Sequence, residues 1–278
     1  LLSLNQFSIY FRFIILIYTN KMKTTIFLSP PFGNYSHLIL PVLKHNYVPI
    51  LGSFTMFERK GLFVNTIRTL RYDSEYDGWV NKIGLCNPGI IKGIKNYNQL
   101  KTSNKVISVA LVDPDDIFYI NKQLLKNISF ELNISCPNIE LNNNRIFNSK
   151  EHMNELEKLV SMNCSKNKII KLRPHFSMKE VERLYDIGFR QFHCSNTIPV
   201  KHGGLSGKSL IQNNLKRIQD LKYRFCDDIE IIGGGGISDF SIAEKYLWAG
   251  ADHLSISTIC MNPFTLYKFD TMLKNNKI

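Results

Sequence analysis

The sequence predicts a (β/α)8 barrel, and three observations support this prediction. Eight short apolar segments alternate with segments in which apolar residues have helical spacing. Several of the apolar segments are nearly continuous, as is typical of parallel strands buried on both faces. Eight strand-then-helix units over about 250 residues match the size of a TIM barrel. A doubly wound sheet would usually have fewer strands and an early glycine-rich turn.

The predicted strands share a short and mostly apolar character. They cover residues 24–28, 47–51, 106–112, 128–134, 168–173, 190–195, 229–233 and 252–257. The predicted helices share an apolar stripe along one face. They cover residues 114–126, 151–163, 178–187, 208–225 and 239–249. In such a barrel, functional side chains follow the carboxyl ends of the strands.

The composition fits one barrel-sized domain in a reducing compartment. The chain has 278 residues, of which 44% are hydrophobic, enough for a full core. Its formal net charge is +12, but its basic residues form no long run, so we expect no nucleic acid partner. The six cysteines form no C-x-x-C pair. We therefore expect free thiols in a reducing compartment and no metal site.

The amino-terminal segment differs from the rest of the chain. Residues 7–19 are apolar apart from Arg12, but a membrane span needs about 20 such residues. We therefore treat residues 1–21 as an appendage of unknown role and residues 22–278 as a single barrel domain. A peripheral membrane anchor is the alternative interpretation, and a membrane partner is not expected.

Polar residues follow three predicted strands near the middle of the chain. The fourth strand leads into Asn133, Cys136 and Asn138, whose amides could bind a ligand with amide or imide edges. Cys136 could be a base or nucleophile, or an inert buried thiol, and the spacing does not decide between these. Lys171 ends the fifth strand and is expected to meet an anion. Asn196 follows the sixth strand.

Glycines indicate a phosphate-bearing ligand. The stretch KHGGLSGKS (201–209) approaches a P-loop, but His202 stands where the motif needs its first glycine. The stretch IIGGGGIS (231–238) follows the seventh predicted strand, in a region where TIM barrels commonly bind phosphate. A dinucleotide-binding motif that begins at Gly233 would need its third glycine at position 238, where this chain has Ser238. A cofactor that carries a phosphate group is therefore expected.

Five motifs together resemble the dihydroorotate dehydrogenase family. They are NKIGLCN (81–87), FELNISCPN (130–138), SNT (195–197), GGLSGK (203–208) and IIGGGGIS (231–238). Their order and positions extend the resemblance from about residue 24 to about residue 265. It implies an FMN-containing barrel that oxidises dihydroorotate to orotate in de novo pyrimidine biosynthesis.

The resemblance also implies a role for each matching residue. Cys136 would be the catalytic base, taking a proton from C5 while hydride leaves C6 for the flavin. Lys171 would lie near the N1/O2 edge of the flavin. The implied substrate-binding residues are Asn81, Gly84, Leu85, Asn133, Asn138, Asn196 and Thr197. The implied cofactor-binding residues are Ser53, Asn133, Lys171, Ser195, Gly207, Gly235, Gly236, Ser257 and Thr258.

The resemblance leaves the electron acceptor open. Cys136 is similar to the base of the soluble members, whereas GGLSGK is similar to a segment of the quinone-using class and of some NAD-linked members. Fumarate, NAD and quinone are therefore all candidates, and a homodimer is one possible assembly. A tRNA dihydrouridine synthase is a weaker alternative, because only about 20 residues follow the eighth strand.

Two departures from the family pattern stand out. Gly52 takes the place of a lysine at the end of the second strand, and LSPPFG (28–33) replaces a segment expected under the flavin. Prolines in that segment donate no N–H. These departures keep a second interpretation open, in which an FMN-binding barrel has lost or altered its turnover.

Overall fold

A computed structural model describes residues 24–124, 127–134 and 149–276, and it forms a closed barrel of eight parallel strands. Strands are numbered in chain order together with those of a second sheet. The barrel strands are β1 (Ile26–Leu28), β2 (Tyr47–Phe54), β5 (Val106–Ala110), β6 (Phe130–Asn133), β7 (Lys168–Lys171), β8 (Gln191–Cys194), β11 (Glu230–Gly234) and β12 (His253–Ile256). All eight predicted strands are confirmed, with ends that shift by a few residues. The predicted TIM barrel is therefore confirmed.

Nine α-helices lie in the described part of the chain. They are α1 (Ser36–Ile39), α2 (Leu62–Thr69), α3 (Ile90–Gln99), α4 (Asp116–Gln123), α5 (Lys150–Met162), α6 (Met178–Asp186), α7 (Ile211–Phe225), α8 (Phe240–Trp248) and α9 (Pro263–Asn275). The five predicted helices correspond to α4 to α8, and α7 follows a short 3-10 turn at Lys208–Leu210. None of the described helices is long and apolar enough to cross a membrane.

A second, antiparallel sheet lies beside the barrel. It contains β3 (Arg71–Asp73), β4 (Gly78–Asn81), β9 (Ile198–Val200) and β10 (Gly203–Gly207), in the order β3-β4-β10-β9. Residues 203–207 lie in none of the predicted strands and directly precede the helix predicted over 208–225, but they form β10. Glycines weaken the strand signal, and the partner strand β4 lies far away in the sequence.

The inner face of the barrel is apolar near the amino ends of the strands. The inward residues there form one buried cluster of Phe27, Val48, Ile50, Val106, Ile169 and Ile232. The opposite faces of the strands pack on the surrounding helices and form the larger core. Along β6, Phe130 and Leu132 belong to that outer core, so strand alternation turns Glu131 and Asn133 inward.

Helix α9 is tied to the connection between β1 and β2 by one fully buried carboxylate. Asp270 accepts hydrogen bonds from the backbone N–H of Lys44 at 2.7 Å and of His45 at 3.0 Å. The hydroxyl of Tyr47 donates a third, at 3.1 Å. Burial, reinforced by Asp270, raises the pKa of Tyr47 and keeps its hydroxyl protonated. The last helix is therefore held to the start of the barrel.

Candidate active site

The predicted site residues of the barrel strands meet at one mouth. Asn133 and Lys171 end neighbouring strands and are register partners. Ser195 directly follows β8, and the glycines of 233–236 end β11 and continue beyond it. All eight strands run in the same direction, so these carboxyl ends form a single rim.

Asparagine amides and a serine hydroxyl are linked at this mouth. Asn133 is buried, and its Nδ2 donates to Ser53 Oγ at 3.4 Å. Asn196 Nδ2 donates to Asn133 Oδ1 at 3.4 Å, and the backbone N–H of Thr197 donates to Asn196 Oδ1 at 2.9 Å. The structure thus brings together four of the predicted residues, from the ends of three different strands.

The loop after β4 carries three more predicted residues in an uncommon conformation. Asn81 ends β4 and pairs with Gly204 of β10. Gly84 has φ 74° and Leu85 has φ 55°, and the left-handed region costs a residue with a side chain about 1–2 kcal/mol. Contacts must therefore hold this loop in place. Arg59 Nε donates to the Gly84 carbonyl at 3.0 Å.

Asn87 supplies another of these contacts, and sequence reasoning did not assign it a role. Its side chain is buried, and Nδ2 donates to the Leu85 carbonyl at 2.6 Å and to Thr55 Oγ1 at 2.8 Å. Its Oδ1 accepts from the backbone N–H of Thr55 at 3.1 Å and of Gly89 at 2.8 Å. Asn87 closes the NKIGLCN motif, so its position in that motif was the available signal.

Glycines let the second sheet approach the loop after β11. A Cβ on Gly236 would lie 2.5 Å from the Gly207 carbonyl oxygen, and a Cβ on Gly207 would lie 2.8 Å from Gly78 Cα. Gly207, Gly235 and Gly236 all have positive φ. A side chain at these positions would therefore block the close approach of the two backbones.

A cavity of about 170 Å³ opens beside these glycines. Three of the predicted cofactor residues line it, namely Gly207, Gly236 and Thr258, together with Ser238 and other residues. The two other predicted cofactor residues of this region, Gly235 and Ser257, are chain neighbours of residues that line the cavity. Gly235 accepts a hydrogen bond from Tyr246 Oη at 2.7 Å, and Ser257 Oγ donates to the Pro30 carbonyl at 3.2 Å.

Lys208 and Ser209 do not act as a P-loop would require. Lys208 Nζ pairs with Asp77 Oδ2 at 2.8 Å on the surface, and Asp77 also accepts a hydrogen bond from Tyr72. Ser209 Oγ donates to the Tyr76 carbonyl at 3.1 Å. Both side chains instead attach the start of α7 to the second sheet.

The chain is similar to known proteins over most of its length. The family model described as dihydroorotate dehydrogenase matches residues 42–275. The chain belongs to the dihydroorotate dehydrogenase family. The described parts of four of the five quoted motifs lie in the barrel or in the loops at its mouth, and GGLSGK lies mostly in β10.

Two curated relatives carry the name "dihydroorotate dehydrogenase B (NAD(+)), catalytic subunit". The protein from Pyrococcus abyssi is 29% identical over 238 residues, 79% of this chain and 77% of its own length. The protein from Malacoplasma penetrans is 30% identical over 221 residues, 70% of this chain and 71% of its own. A putative dihydroorotate dehydrogenase A (fumarate) from Aquifex aeolicus is 24% identical over 203 residues, 65% and 66% of the two chains.

A solved structure has the same fold. The crystal structure of DHODH in complex with ferulenol from Eimeria tenella superposes with a TM-score of 0.67. It covers 91% of this chain and 81% of that chain, with 18% sequence identity. At this identity the likeness concerns the fold alone.

The position of the missing family lysine has a structural explanation. Gly52 has φ 125°, and a Cβ there would lie 2.4 Å from the Ser108 carbonyl oxygen. Asn34 fixes this backbone, because its Nδ2 donates to the Gly52 carbonyl at 2.9 Å and its Oδ1 accepts from the Gly52 N–H at 2.8 Å. Gly52 is therefore held by Asn34, the residue that directly follows the altered segment 28–33.

A buried polar layer lies directly below the mouth, and sequence reasoning missed it. Ser53 Oγ and Ser108 Oγ are 2.8 Å apart, and Ser108 Oγ donates to Glu131 Oε1 at 2.7 Å. His193 Nδ1 lies 2.6 Å from Glu131 Oε2, with both side chains fully buried. The signals were a glutamate inside the apolar segment ISFELNI and a histidine inside RQFHCS.

The charges of this layer follow from its contacts. Burial alone would raise the pKa of the Glu131 carboxyl, but Lys171 and His193 outweigh burial and lower it to about 2. Burial lowers the pKa of His193, with Lys171 adding to this and Glu131 opposing it. Near neutral pH the layer thus holds an ionised Glu131 and a neutral His193 beside Lys171.

Two predicted residues, Cys136 and Asn138, lie outside the described residues. Their roles as base and substrate ligand therefore stay predictions. The five described cysteines, Cys86, Cys164, Cys194, Cys226 and Cys260, are all free thiols. Burial raises the pKa of Cys194 to about 12, so this buried thiol stays protonated.

Proposed function

We propose that this chain oxidises dihydroorotate to orotate with a bound FMN, as a step of de novo pyrimidine biosynthesis in the cytoplasm. The family match over residues 42–275 supports this reaction class. The observation that carries the proposal is the linked pair Asn133 and Asn196, beside Ser53, at the mouth of the barrel. Such amides suit the alternating carbonyl and N–H groups of a pyrimidine ring.

The site fits a flavin mononucleotide. Dihydroorotate dehydrogenases are flavin-dependent in general, and a flavin accepts two electrons as hydride. The phosphate would lie in the cavity beside Gly207, Gly236 and Thr258. Both glycines are needed to shape its wall, because a Cβ at either would collide with neighbouring backbone. Gly235 and Ser257 complete this part of the site. Ser53, Asn133, Lys171 and Ser195 would then lie along the ring system, with Lys171 supplying positive charge.

The substrate would lie over the ring system of the flavin and would be held by side-chain amides. Asn81, Asn133, Asn138 and Asn196 would bind its polar edges, with Thr197 and the backbone of Gly84 and Leu85 closing the pocket. Amide side chains donate and accept at once, so they can fix the orientation of the ring. Asn87 would act on the substrate indirectly, because it holds the loop that carries Gly84 and Leu85.

Cys136 is proposed as the base that removes the C5 proton of dihydroorotate. The hydride at C6 would pass to the flavin in the same oxidation, so orotate forms with the C5 proton on the Cys136 sulfur and the hydride, two electrons with one proton, on the cofactor. Only the thiolate of a cysteine is basic enough for this step. The rate of reduction should therefore rise with pH until the thiol is fully ionised.

Anaerobic mixing with dihydroorotate tests the function. Purified protein should carry a yellow flavin spectrum that dihydroorotate bleaches, and Cys136→Ala should slow the bleaching by at least about 100-fold. Cys136→Ser is the matched variant and should retain part of the rate at high pH. Bound flavin that dihydroorotate never bleaches would support the alternative of a barrel with lost turnover. Full reduction by Cys136→Ala would refute the base assignment.

The electron acceptor is a separate proposal. The relative from Pyrococcus abyssi is named for NAD(+) and the one from Aquifex aeolicus for fumarate. We propose one of fumarate, NAD or quinone for this chain. Reoxidation of the substrate-reduced enzyme by each compound, followed at the flavin absorbance, would identify it.

A further inference from the structure

A continuous set of contacts connects His193 inside the barrel to the amides at its mouth. It passes from His193 to Glu131 at 2.6 Å, to Ser108 at 2.7 Å and to Ser53 at 2.8 Å. Ser53 then meets Asn133 at 3.4 Å. The first three contacts join buried or half-buried side chains, where hydrogen bonds are strong and loss of a partner is costly.

His193 has a defined role in this set. Glu131 is ionised and can only accept, so the neutral imidazole must donate from Nδ1 to Glu131 Oε2. The other ring nitrogen, Nε2, is buried and has no hydrogen-bond partner among the described residues. Packing and the single bond to Glu131 therefore fix this ring.

Each oxygen of the Glu131 carboxylate accepts a hydrogen bond from a different donor. Ser108 holds Oε1 and His193 holds Oε2, so the carboxylate cannot rotate without breaking a buried hydrogen bond. Lys171 is a register partner of His193 on the adjacent strand, and its ammonium is near enough to act on Glu131. The position of the carboxylate thus determines how much of the Lys171 charge is neutralised inside the barrel.

We propose that His193 is a positioning residue for the flavin: it fixes the Glu131 carboxylate and thereby sets the positive charge that Lys171 presents to the cofactor. The inference rests on the proposed function, because it needs a flavin beside Lys171. Nothing in the sequence motifs assigns His193 this role.

Two substitutions should shift the flavin reduction potential in opposite directions. In His193→Leu the carboxylate loses one of its two donors and turns toward Lys171, so reduced flavin loses stabilisation and the potential falls. In Glu131→Gln the carboxylate charge is removed, so the charge of Lys171 is no longer partly neutralised and the reduction potential of the flavin rises. General damage to the site would give no such opposition in sign.

His193→Asn is the matched control. An asparagine amide can place an N–H near the position of Nδ1, so this variant should keep a potential close to that of the unchanged protein. The potentials are measured on the flavin-loaded proteins by chemical reduction against a reference dye at pH 7.5. This readout needs no dihydroorotate, so a protein that failed as a dehydrogenase could still be tested.

The imidazole itself gives a second readout on apoprotein. Nitrogen NMR of histidine-labelled protein at pH 7.5 should show His193 neutral with its proton on Nδ1. A protonated His193, or a proton on Nε2, would overturn the proposal even if His193→Leu failed to fold. An unchanged or raised potential in His193→Leu would overturn it as well.

Discussion

The side-chain amide of Asn87 helps to hold the proposed substrate loop in place. Asn87 makes four hydrogen bonds, and two of them hold the backbone of Leu85 and Gly89 where φ is positive. Its removal would leave buried donors and acceptors without partners. The residues that touch a ligand are thus only part of the machinery, since Asn87 acts through the loop.

We expect Asn87→Ala to lower the free energy of unfolding by about 2–4 kcal/mol, because several buried hydrogen bonds are lost together. The KM for dihydroorotate should rise more than kcat falls. Urea denaturation and steady-state kinetics measure these effects. Asn98→Ala, on the exposed face of α3, should change stability by less than about 0.5 kcal/mol. Equal effects of the two variants would contradict the role of Asn87.

At the scale of elements, glycine contacts join the second sheet to the barrel. Gly207 of β10 lies between Gly78 of β4 and Gly236 after β11. These contacts shape one wall of the proposed phosphate cavity. The sheet is therefore part of the site, although it lies outside the barrel.

We expect Gly207→Ala to destabilise the protein more than Gly61→Ala, by about 1–3 kcal/mol, and to weaken flavin retention. Both glycines have positive φ, but Gly61 (φ 100°, ψ 12°) lies in the left-handed helical region, whereas Gly207 (φ 131°, ψ −158°) lies in a region that is essentially restricted to glycine, so backbone strain adds to the expected difference. They differ in space, since a Cβ at Gly61 meets nothing closer than 3.4 Å, whereas at Gly207 it meets Gly78 Cα at 2.8 Å. Urea denaturation and the flavin content after dialysis are the measurements, and equal losses would refute this account.

The elements that the sequence could predict are those with strong local signals. The barrel strands are apolar and regularly spaced, and their carboxyl ends located Asn133, Lys171 and Asn196. The second sheet was missed because β10 is rich in glycine and pairs with a distant strand. The Glu131–His193 pair was missed because only the closed barrel brings β6 and β8 residues together on its inner face.

At the scale of the whole molecule, Asp270 connects the end of the barrel to its start. It is fully buried and accepts three hydrogen bonds from residues 44–47. We expect Asp270→Ala to cost about 3–5 kcal/mol of unfolding free energy, because charge-assisted bonds are lost and buried donors are left alone. Asp186→Asn, at an exposed position, is the control for urea denaturation. A loss below about 1 kcal/mol in Asp270→Ala would contradict this role.

The buried polar layer should make the whole fold sensitive to acid. The pKa of Glu131 is lowered from 4.5 to about 2 in the folded protein, so the unfolded chain takes up a proton first. The stability that this group contributes is present above pH 4.5 and is lost as the pH falls toward 2, on the order of 3 kcal/mol.

His193 should extend this sensitivity to milder acid. Its pKa is lowered from 6.5 in the folded protein, so the unfolded chain is protonated first and stability should begin to fall below pH 6.5. Urea denaturation of the unchanged protein and of His193→Asn between pH 7.5 and 5 measures the contribution. The variant should lose less unfolding free energy over this pH range. Identical pH profiles of the two proteins would contradict a contribution from His193.

The closure of the barrel has a consequence for how the protein is made. Strands β1 and β12 pair directly, with Leu28 opposite Ile256, and Ser29 Oγ lies 2.6 Å from Ser255 Oγ across 226 residues of sequence. During translation β1 must wait until β12 has left the ribosome before this pair can form. Such distant pairing also slows folding. A nascent chain would therefore complete its cofactor site only after β12 has been synthesised.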